Sequence, residues 1–155
     1  MAIKHAKQSG LPADDGSTSH VRPVDWYAAH TTEDTISIVL DGYGTGISTG
    51  IKADIEMGYA GSFAGWALVA DQSGSIVIDL WKCTYAAFVP GSHPIATDTI
   101  CGSEHPTITS TYKATGATLT GWTTSFSKGD IVRVNVDSCT TITRCTLALR
   151  VTSGL

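Results

Sequence analysis

The 155-residue chain contains few charged residues and no long apolar segment, and each absence excludes a class of protein. Charged residues make up 15% of the chain, the net charge is −4, and the ten Lys and Arg residues are scattered along it. Proteins that bind nucleic acid neutralise phosphates with a basic stripe, so we expect no nucleic-acid partner. No apolar run approaches the roughly 20 residues that span a bilayer, and the first residues lack the apolar segment of a secretory signal. We therefore expect a soluble protein that is made in a cytoplasm and has no membrane partner.

The balance of Glu against Gly, Thr and Ser also argues against a helical protein. The chain has three Glu, whereas Gly, Thr and Ser, which fit turns and pleated strands, are abundant. From Thr35 onward apolar and polar residues alternate, and in residues 51–59 the odd positions are apolar and predicted to face a core. Turn signals at residues 41–46, 71–74 and 128–130 separate the strands. The pattern predicts an all-β protein, with about six to eight antiparallel strands in a jelly-roll-like β-sandwich.

The first 34 residues follow no such pattern. Gly and Pro at positions 10, 12, 16 and 23 lie too close together for a long helix or strand, and Asp25 could N-cap a single turn that ends at His30. We divide the chain into an extended N-terminal arm, residues 1–34, and a β-sandwich domain, residues 35–155. Trp26 and Tyr27 have no strand around them. They either fold back on the domain or anchor the arm in a pocket of a partner, and we favour the anchor.

Prolines interrupt the strand pattern repeatedly in residues 85–118. We expect a long surface loop there, with a short helix near residues 109–113, and loops on a rigid sandwich often bind ligands. His93 and His105 could meet across this loop to hold a metal or form a pH-sensitive contact, although solvated histidines are the favoured interpretation. The candidate ligand surface consists of Tyr85, His93, His105, Tyr112 and Trp122.

Catalytic motifs are missing from the sequence. Residues 42–46 (Gly-Tyr-Gly-Thr-Gly) are glycine-rich but flanked by strand sequence, so they predict a hairpin connection rather than a phosphate loop. Asp54 and Glu56 would share a strand face roughly 6.5–7 Å apart, a separation that could suit a glycoside hydrolase, but carboxylates on a solvated face are ordinary. No histidine spacing fits a zinc site, and no Ser lies in a nucleophile elbow. We expect no enzymatic activity, no cofactor and no metal.

The four cysteines fall into two local pairs and are candidate disulfides. Cys139 and Cys145 flank a predicted hairpin that could bring their Cα atoms to about 5.5 Å, whereas the pairing of Cys83 with Cys101 is less well defined. All four would stay reduced in a cytoplasm and could close within or between subunits in an oxidising exterior. Burial as small hydrophobic residues is an equally weighted alternative, and Cys145 is expected in the core in either case.

Two parts of the chain resemble structural proteins of tailed-bacteriophage virions. Residues 3–7 (Ile-Lys-His-Ala-Lys) and 21–30 (Val-Arg-Pro-Val-Asp-Trp-Tyr-Ala-Ala-His) are similar to an arm motif of those proteins, in which Asn stands at the position of Tyr27. The domain resembles a phage β-sandwich module in residues 39–42, 49–52, 65–66, 70–82, 119–122 and 134–137. Such modules usually lack the four cysteines, which suggests covalent reinforcement particular to this virion. The resemblance also implies a homotrimer.

The arm and the resemblance together predict a virion surface structural protein, a short head decoration, head fibre or fibre knob. It would be made in the host cytoplasm and assembled into the virion. The arm would dock onto a major capsid or tail protein through Arg22, Asp25, Trp26, Tyr27 and His30. One alternative is a tail-fibre tip that binds a host receptor or glycan. A less favoured one is a virion-associated glycan hydrolase.

Overall fold

A computed structural model describes residues 31–154, and all structural statements below concern these residues. The docking residues predicted in the arm, Arg22, Asp25, Trp26, Tyr27 and His30, lie outside them. The first strand begins at Thr31, within the last residues that the sequence pattern assigned to the arm.

The described chain is almost entirely β-strand, which confirms the all-β prediction. Its elements are β1 (Thr31–Asp41), β2 (Gly50–Glu56), β3 (Gly61–Cys83), β4 (Thr107–Gly116), β5 (Ser125–Phe126), β6 (Ile131–Thr140) and β7 (Arg144–Gly154), with 3-10 turns at Tyr85–Ala87 and Ala96–Asp98. The short helix predicted near residues 109–113 is wrong, because these residues belong to β4. Thr, Tyr and Ile in that segment favour a pleated strand once a neighbouring strand pairs with it. Within the described residues, no helix has the length and apolar composition of a membrane span.

The 23-residue strand β3 organises the sheet. Its first part pairs with β7, from Ser62 opposite Thr152 to Ala70 opposite Cys145, and its last part pairs with β6, from Ser75 opposite Thr140 onward. β6 and β7 therefore continue one another along the same side of β3. The strand order is β1-β7-β3-β6-β2, and β4 and β5 also pair with β3. All pairs are antiparallel and belong to one curled seven-stranded sheet, and a jelly-roll arrangement is not confirmed.

The strand pairing along β3 is interrupted at Gly74, a position that we call the bend of the curled sheet. The register between β3 and β4 shifts on both sides of Gly74, and the segment between β6 and β7 passes the same position. A Cβ on Gly74 would collide with the backbone oxygen of Thr140 and the side chain of Thr141. Glycine is thus required for the close approach of two backbones at this bend.

A single hydrophobic cluster joins the two halves of the sheet. Leu68 and Leu147 come from the half before the bend, Ile78 and Val134 from the half after it, and all four side chains are fully buried. Burying each of them stabilises the fold by about 1.5–3 kcal/mol relative to leaving it in water. This shared cluster explains why the sheet curls instead of lying flat.

The predicted alternation in residues 51–59 is interrupted at its start. A register shift between Ile51 and Ala53 lies in the pairing of β2 with β6, and it leaves Ile51 49% exposed instead of facing the core. Beyond the bulge the pattern recovers, and Met57 is buried. A β-bulge reverses the face that the following side chains occupy, which residue alternation alone does not reveal.

An ion pair ties the end of β3 to the start of β6. Lys82 Nζ lies 3.0 Å from a carboxylate oxygen of Asp130, which also accepts a hydrogen bond from the Ser127 backbone N–H at 2.9 Å. Burial opposes ionisation of Asp130, but the Ser127 N–H and the Lys82 ammonium outweigh it and hold the pKa below its usual value. The turn at residues 127–130 is thereby fixed by a charged side chain.

Candidate functional site

The segment between β3 and β4, residues 84–106, contains three of the residues predicted to bind a ligand, and we call it the long loop. Much of it lacks regular secondary structure, and both the backbone and the side chains of the sheet hold it in place. The Ile100 backbone N–H, for example, donates to the Leu80 carbonyl at 2.8 Å. Three polar residues of the sheet provide side-chain contacts, namely Asp79 on β3 and Arg133 and Asp137 on β6.

Arg133 holds the middle of the loop. Its side chain is 2% exposed, its Nε and Nη2 donate to the two carboxylate oxygens of Asp54 at 2.6 and 3.0 Å, and its Nη1 donates to the Pro94 carbonyl at 2.7 Å. The guanidinium carbon lies 5.7 Å from the centre of the Phe88 ring. Hydrogen bonds to Asp54 raise the pKa of Arg133 further, against the opposing effect of burial. The buried charge is thus paired in a bidentate geometry.

The pairing with Arg133 bears on the hydrolase alternative. Asp54 and Glu56 are both exposed and lie two positions apart on β2, as the alternation predicts. Both oxygens of Asp54, however, accept hydrogen bonds from the buried Arg133. A carboxylate that neutralises a buried cation is a structural partner, and it is poorly suited to protonate a leaving group.

Asp79 holds the loop at a second point. Its side chain is 7% exposed and lies on β3 among apolar neighbours. One carboxylate oxygen accepts from the Thr99 hydroxyl at 2.6 Å and from the Leu80 backbone N–H at 2.8 Å, and the other accepts from the Trp81 indole N–H at 2.6 Å. The loop residue Thr99 is therefore bound to a carboxylate that the strand itself holds in place.

His105 bridges the end of the loop to β6. Its Nδ1 lies 3.1 Å from Asp137, and its Nε2 lies 3.2 Å from the Gly102 carbonyl and 3.9 Å from Asp79. Both ring nitrogens thus face oxygen acceptors. A protonated imidazole donates from both nitrogens, whereas a neutral ring donates from only one.

Asp79, His105 and Asp137 are also the group of described residues whose ligand atoms lie close enough together, within 4.8 Å, to hold a metal ion. Each of the three already makes hydrogen bonds to protein groups, so the arrangement is satisfied as a structural network. One sequence signal for it is Asp79, which interrupts an apolar strand segment, where a charged residue usually has a specific partner.

His93 and His105 do not contact each other, as one interpretation of the sequence had suggested, but bind different carboxylates. His93 Nδ1 lies 3.2 Å from Asp98, within the loop itself, whereas His105 contacts Asp137 on the sheet. Hydrogen bonds from the Ile95 backbone N–H and from His93 hold the pKa of Asp98 below its usual value, although burial acts in the opposite direction. Each histidine has its own carboxylate partner.

The candidate aromatic surface is only partly available. Tyr85 and Tyr112 are 68% and 56% exposed, on a 3-10 turn of the loop and on β4. The prediction that Trp122 offers a stacking surface for sugars is wrong, because its side chain is 9% exposed and packs edge-on against Phe63 at a ring-centroid distance of 6.3 Å. Its indole N–H donates to the Glu104 carbonyl at 2.8 Å, so it is a core residue that also holds the loop.

All four cysteines are free thiols in the structure. The prediction that Cys139 and Cys145 flank a hairpin is wrong, because their strands, β6 and β7, both pair with β3 instead of with each other. Cys139 lies opposite Ile76, and Cys145 lies opposite Ala70. Cys101 and Cys145 are buried, as expected for Cys145, and burial raises the pKa of the Cys145 thiol to about 11 and that of Cys101 further still. These two thiols are in the unreactive protonated form at neutral pH.

Two open depressions lie along β1. The first, of about 380 Å³, is near the start of β1 and is lined by Glu33, Asp34 and Arg150 among others. The second, of about 330 Å³, is near its end and includes the exposed side chains of Val39, Tyr43 and Ile51. The surface beside β1 thus combines concave shape with exposed apolar groups.

No family model, curated protein or solved structure matches this chain.

Proposed function

We propose that this protein is a bacteriophage virion surface structural protein, a short head decoration or head fibre, that attaches to a larger virion protein through the part of the predicted arm that precedes β1, residues 1–30. The sequence feature that supports the proposal is the change from closely spaced Gly and Pro residues before β1 to alternating strand sequence in the domain. Residues 32–153 supply a contiguous buried core and a loop held by paired polar side chains, as a self-supporting domain requires.

The position where the arm joins the domain supports the same function. The chain enters β1 at Thr31, beside the depression that contains Glu33, Asp34 and Arg150. Attachment would rely on aromatic anchoring by Trp26 and Tyr27, supported by the polar side chains of Arg22 and His30. Aromatic side chains bury a large area at a low cost in conformational entropy, which suits a short attachment segment.

The experiment compares the incorporation of two variants into particles. We expect Trp26→Ala to fold normally in isolation but to be lost from purified virions. The matched control is Tyr112→Ala, which removes an exposed aromatic residue of the domain, and this variant should be incorporated at the wild-type level. Incorporation of Trp26→Ala at the wild-type level would contradict attachment through the arm.

A second candidate function is a tail-fibre tip that binds a host glycan, and the exposure of Tyr85 and Tyr112 favours it. Exposed tyrosines offer ring faces on which sugars can stack. Saturable binding of the purified protein to host cells, lost in Tyr85→Ala/Tyr112→Ala and kept in Trp26→Ala, would support this role over head decoration. The homotrimer implied by the resemblance stays a prediction in either case.

A further inference from the structure

β1 forms one edge of the curled sheet, and its central residues lack the features that normally protect an edge strand. Among residues 31–154 its strand neighbour is β7 alone, and the register between them runs without a shift from Thr31 to Asp41. The charges of β1 lie near its ends, at Glu33, Asp34 and Asp41, and the six residues between them (Thr-Ile-Ser-Ile-Val-Leu) contain no charge and no proline. Such an edge presents backbone N–H and C=O groups to another strand.

The other edge strands of the described sheet are protected. β2 carries Lys52, Asp54 and Glu56 and has a bulge after Ile51. β4 pairs with β3 through two register shifts and carries Lys113. Charges and bulges at an edge oppose pairing with a second molecule, so β1 is the described edge that favours it.

The inward side chains of β1 are incompletely covered. Ile36 and Ile38 pack against the core cluster but remain only partly buried, whereas Leu40 is 2% exposed. Their position on the outermost strand explains this, because no described strand lies beyond β1. A further strand with apolar inward residues would cover both isoleucines.

We propose that two copies of this chain pair through β1, antiparallel and about a two-fold axis, so that the sheet continues from one copy into the other. Opposite residues of an antiparallel pair lie on the same face of the sheet, so the inward residues of both copies have to face each other. A register centred on Ile38 does this: Ile36 lies opposite Leu40 of the second copy, and Ser37 lies opposite Val39 of the second copy.

Charge is compatible with this register. When Ile38 is at the centre, Asp41 lies opposite Thr35 of the second copy and Asp34 lies opposite Gly42 of the second copy, so no like charges meet. A register centred on Ser37 would place Glu33 opposite Asp41 of the second copy, and like charges directly opposite each other destabilise a strand pair. Registers centred on Ile36 or Val39 also avoid like charges, but only the register centred on Ile38 places the three inward apolar residues, Ile36, Ile38 and Leu40, opposite one another.

The experiment measures the association of the full chain by sedimentation velocity over a range of concentrations. In the proposed register, position 37 of each copy lies opposite position 39 of the other copy, so this contact occurs twice across the axis. Ser37→Lys/Val39→Lys therefore creates two like-charge contacts and should weaken association about tenfold or more. Ser37→Glu/Val39→Lys creates two opposite-charge contacts instead, and it should associate at least as tightly as the wild type.

A control of the same chemistry exists on β3. Ala67 and Val69 lie opposite Ala148 and Thr146 of β7, the same two residues that face Ser37 and Val39 from the other side. Val39 and Val69 are also similarly exposed, at 61% and 59%. Ala67→Lys/Val69→Lys should therefore leave association unchanged, because β3 is not at an edge. Val69 also lies opposite Lys113 of β4, so this variant is compared with the others only if it folds. Circular dichroism of each variant separates a loss of pairing from a loss of fold.

Four results would overturn the proposal. They are a wild-type chain that stays monomeric, an assembly of three copies only, equal association of the two β1 variants, and a loss of association in the β3 control as large as that in Ser37→Lys/Val39→Lys. A two-fold pair gives dimers or assemblies with an even number of copies, which excludes a simple trimer. The pairing does not depend on the virion role, because association in solution and incorporation into particles are measured separately.

Discussion

The contact between Asp54 and Arg133 makes a direct test of how the long loop is held on the sheet. Arg133 is the largest fully buried side chain among the described residues, and both carboxylate oxygens of Asp54 accept from its guanidinium. We expect Asp54→Ala to destabilise the protein and Glu56→Ala, on the same exposed face of β2, to have little effect.

The magnitude follows from the burial of the two partners. Removing one partner of a fully buried ion pair costs about 3–5 kcal/mol, because the remaining charge stays desolvated. The side chain of Asp54 is 31% exposed, so water can enter and solvate part of the guanidinium. We therefore expect Asp54→Ala to lower the free energy of unfolding by about 2–3 kcal/mol, which corresponds to a fall in Tm of about 5–10 °C. The exposed Glu56 should contribute about 0.5 kcal/mol or less.

The assay is urea unfolding of the full chain, followed by tryptophan fluorescence. Asp54→Ala/Arg133→Met should recover part of the loss, because it removes the unpaired charge and keeps an apolar side chain of similar length. Equal stability of Asp54→Ala and Glu56→Ala would refute the reasoning. So would a double variant that is less stable than Asp54→Ala alone.

Three further predictions concern the core, the bend and the acid response. Native alkylation should modify the half-buried Cys83 faster than Cys101, whose thiol is buried and has a raised pKa; equal rates would contradict this. Gly74→Ala should lower the free energy of unfolding by about 2 kcal/mol or more because its Cβ collides with backbone, whereas Gly58→Ala, with open space around its Cβ, should change it by less than about 1 kcal/mol in urea unfolding. The folded-state pKa of Asp130 is below its unfolded value of 3.8, so its contribution to stability is present above that pH and is lost as the pH falls through the folded pKa. Between about pH 5 and about pH 2, the urea midpoint should therefore fall less in Asp130→Asn than in the wild type.

The local pattern of the sequence was sufficient to predict the fold class. Alternating apolar residues in β3, β6 and β7 predict strands with one buried face, and these strands form the core. The pattern could not reveal that β6 and β7 continue one another, because that depends on pairing with β3 between residues that are distant in sequence, from Cys83 opposite Ile131 to Ser62 opposite Thr152. The bulge after Ile51 is invisible for a similar reason, since it appears only in the register with β6.

The candidate site was harder to predict than the fold. The sequence drew attention to His105 because histidine is chemically versatile, but its partners Asp79 and Asp137 come from two different strands. Trp122 follows a glycine in an apparently exposed turn, and only the packing of Phe63 against it makes it part of the core. Contacts between residues distant in sequence determined each of these outcomes.

The central proposal is that residues 1–30, the part of the predicted arm that precedes β1, attach the β domain to another virion protein. Imaging of intact particles at a resolution that traces this chain tests it most directly. We predict that Trp26 and Tyr27 contact a different virion protein while the β domain projects outward. Particles in which those two residues pack into the core of their own domain, with no contact to any other protein, would contradict the account.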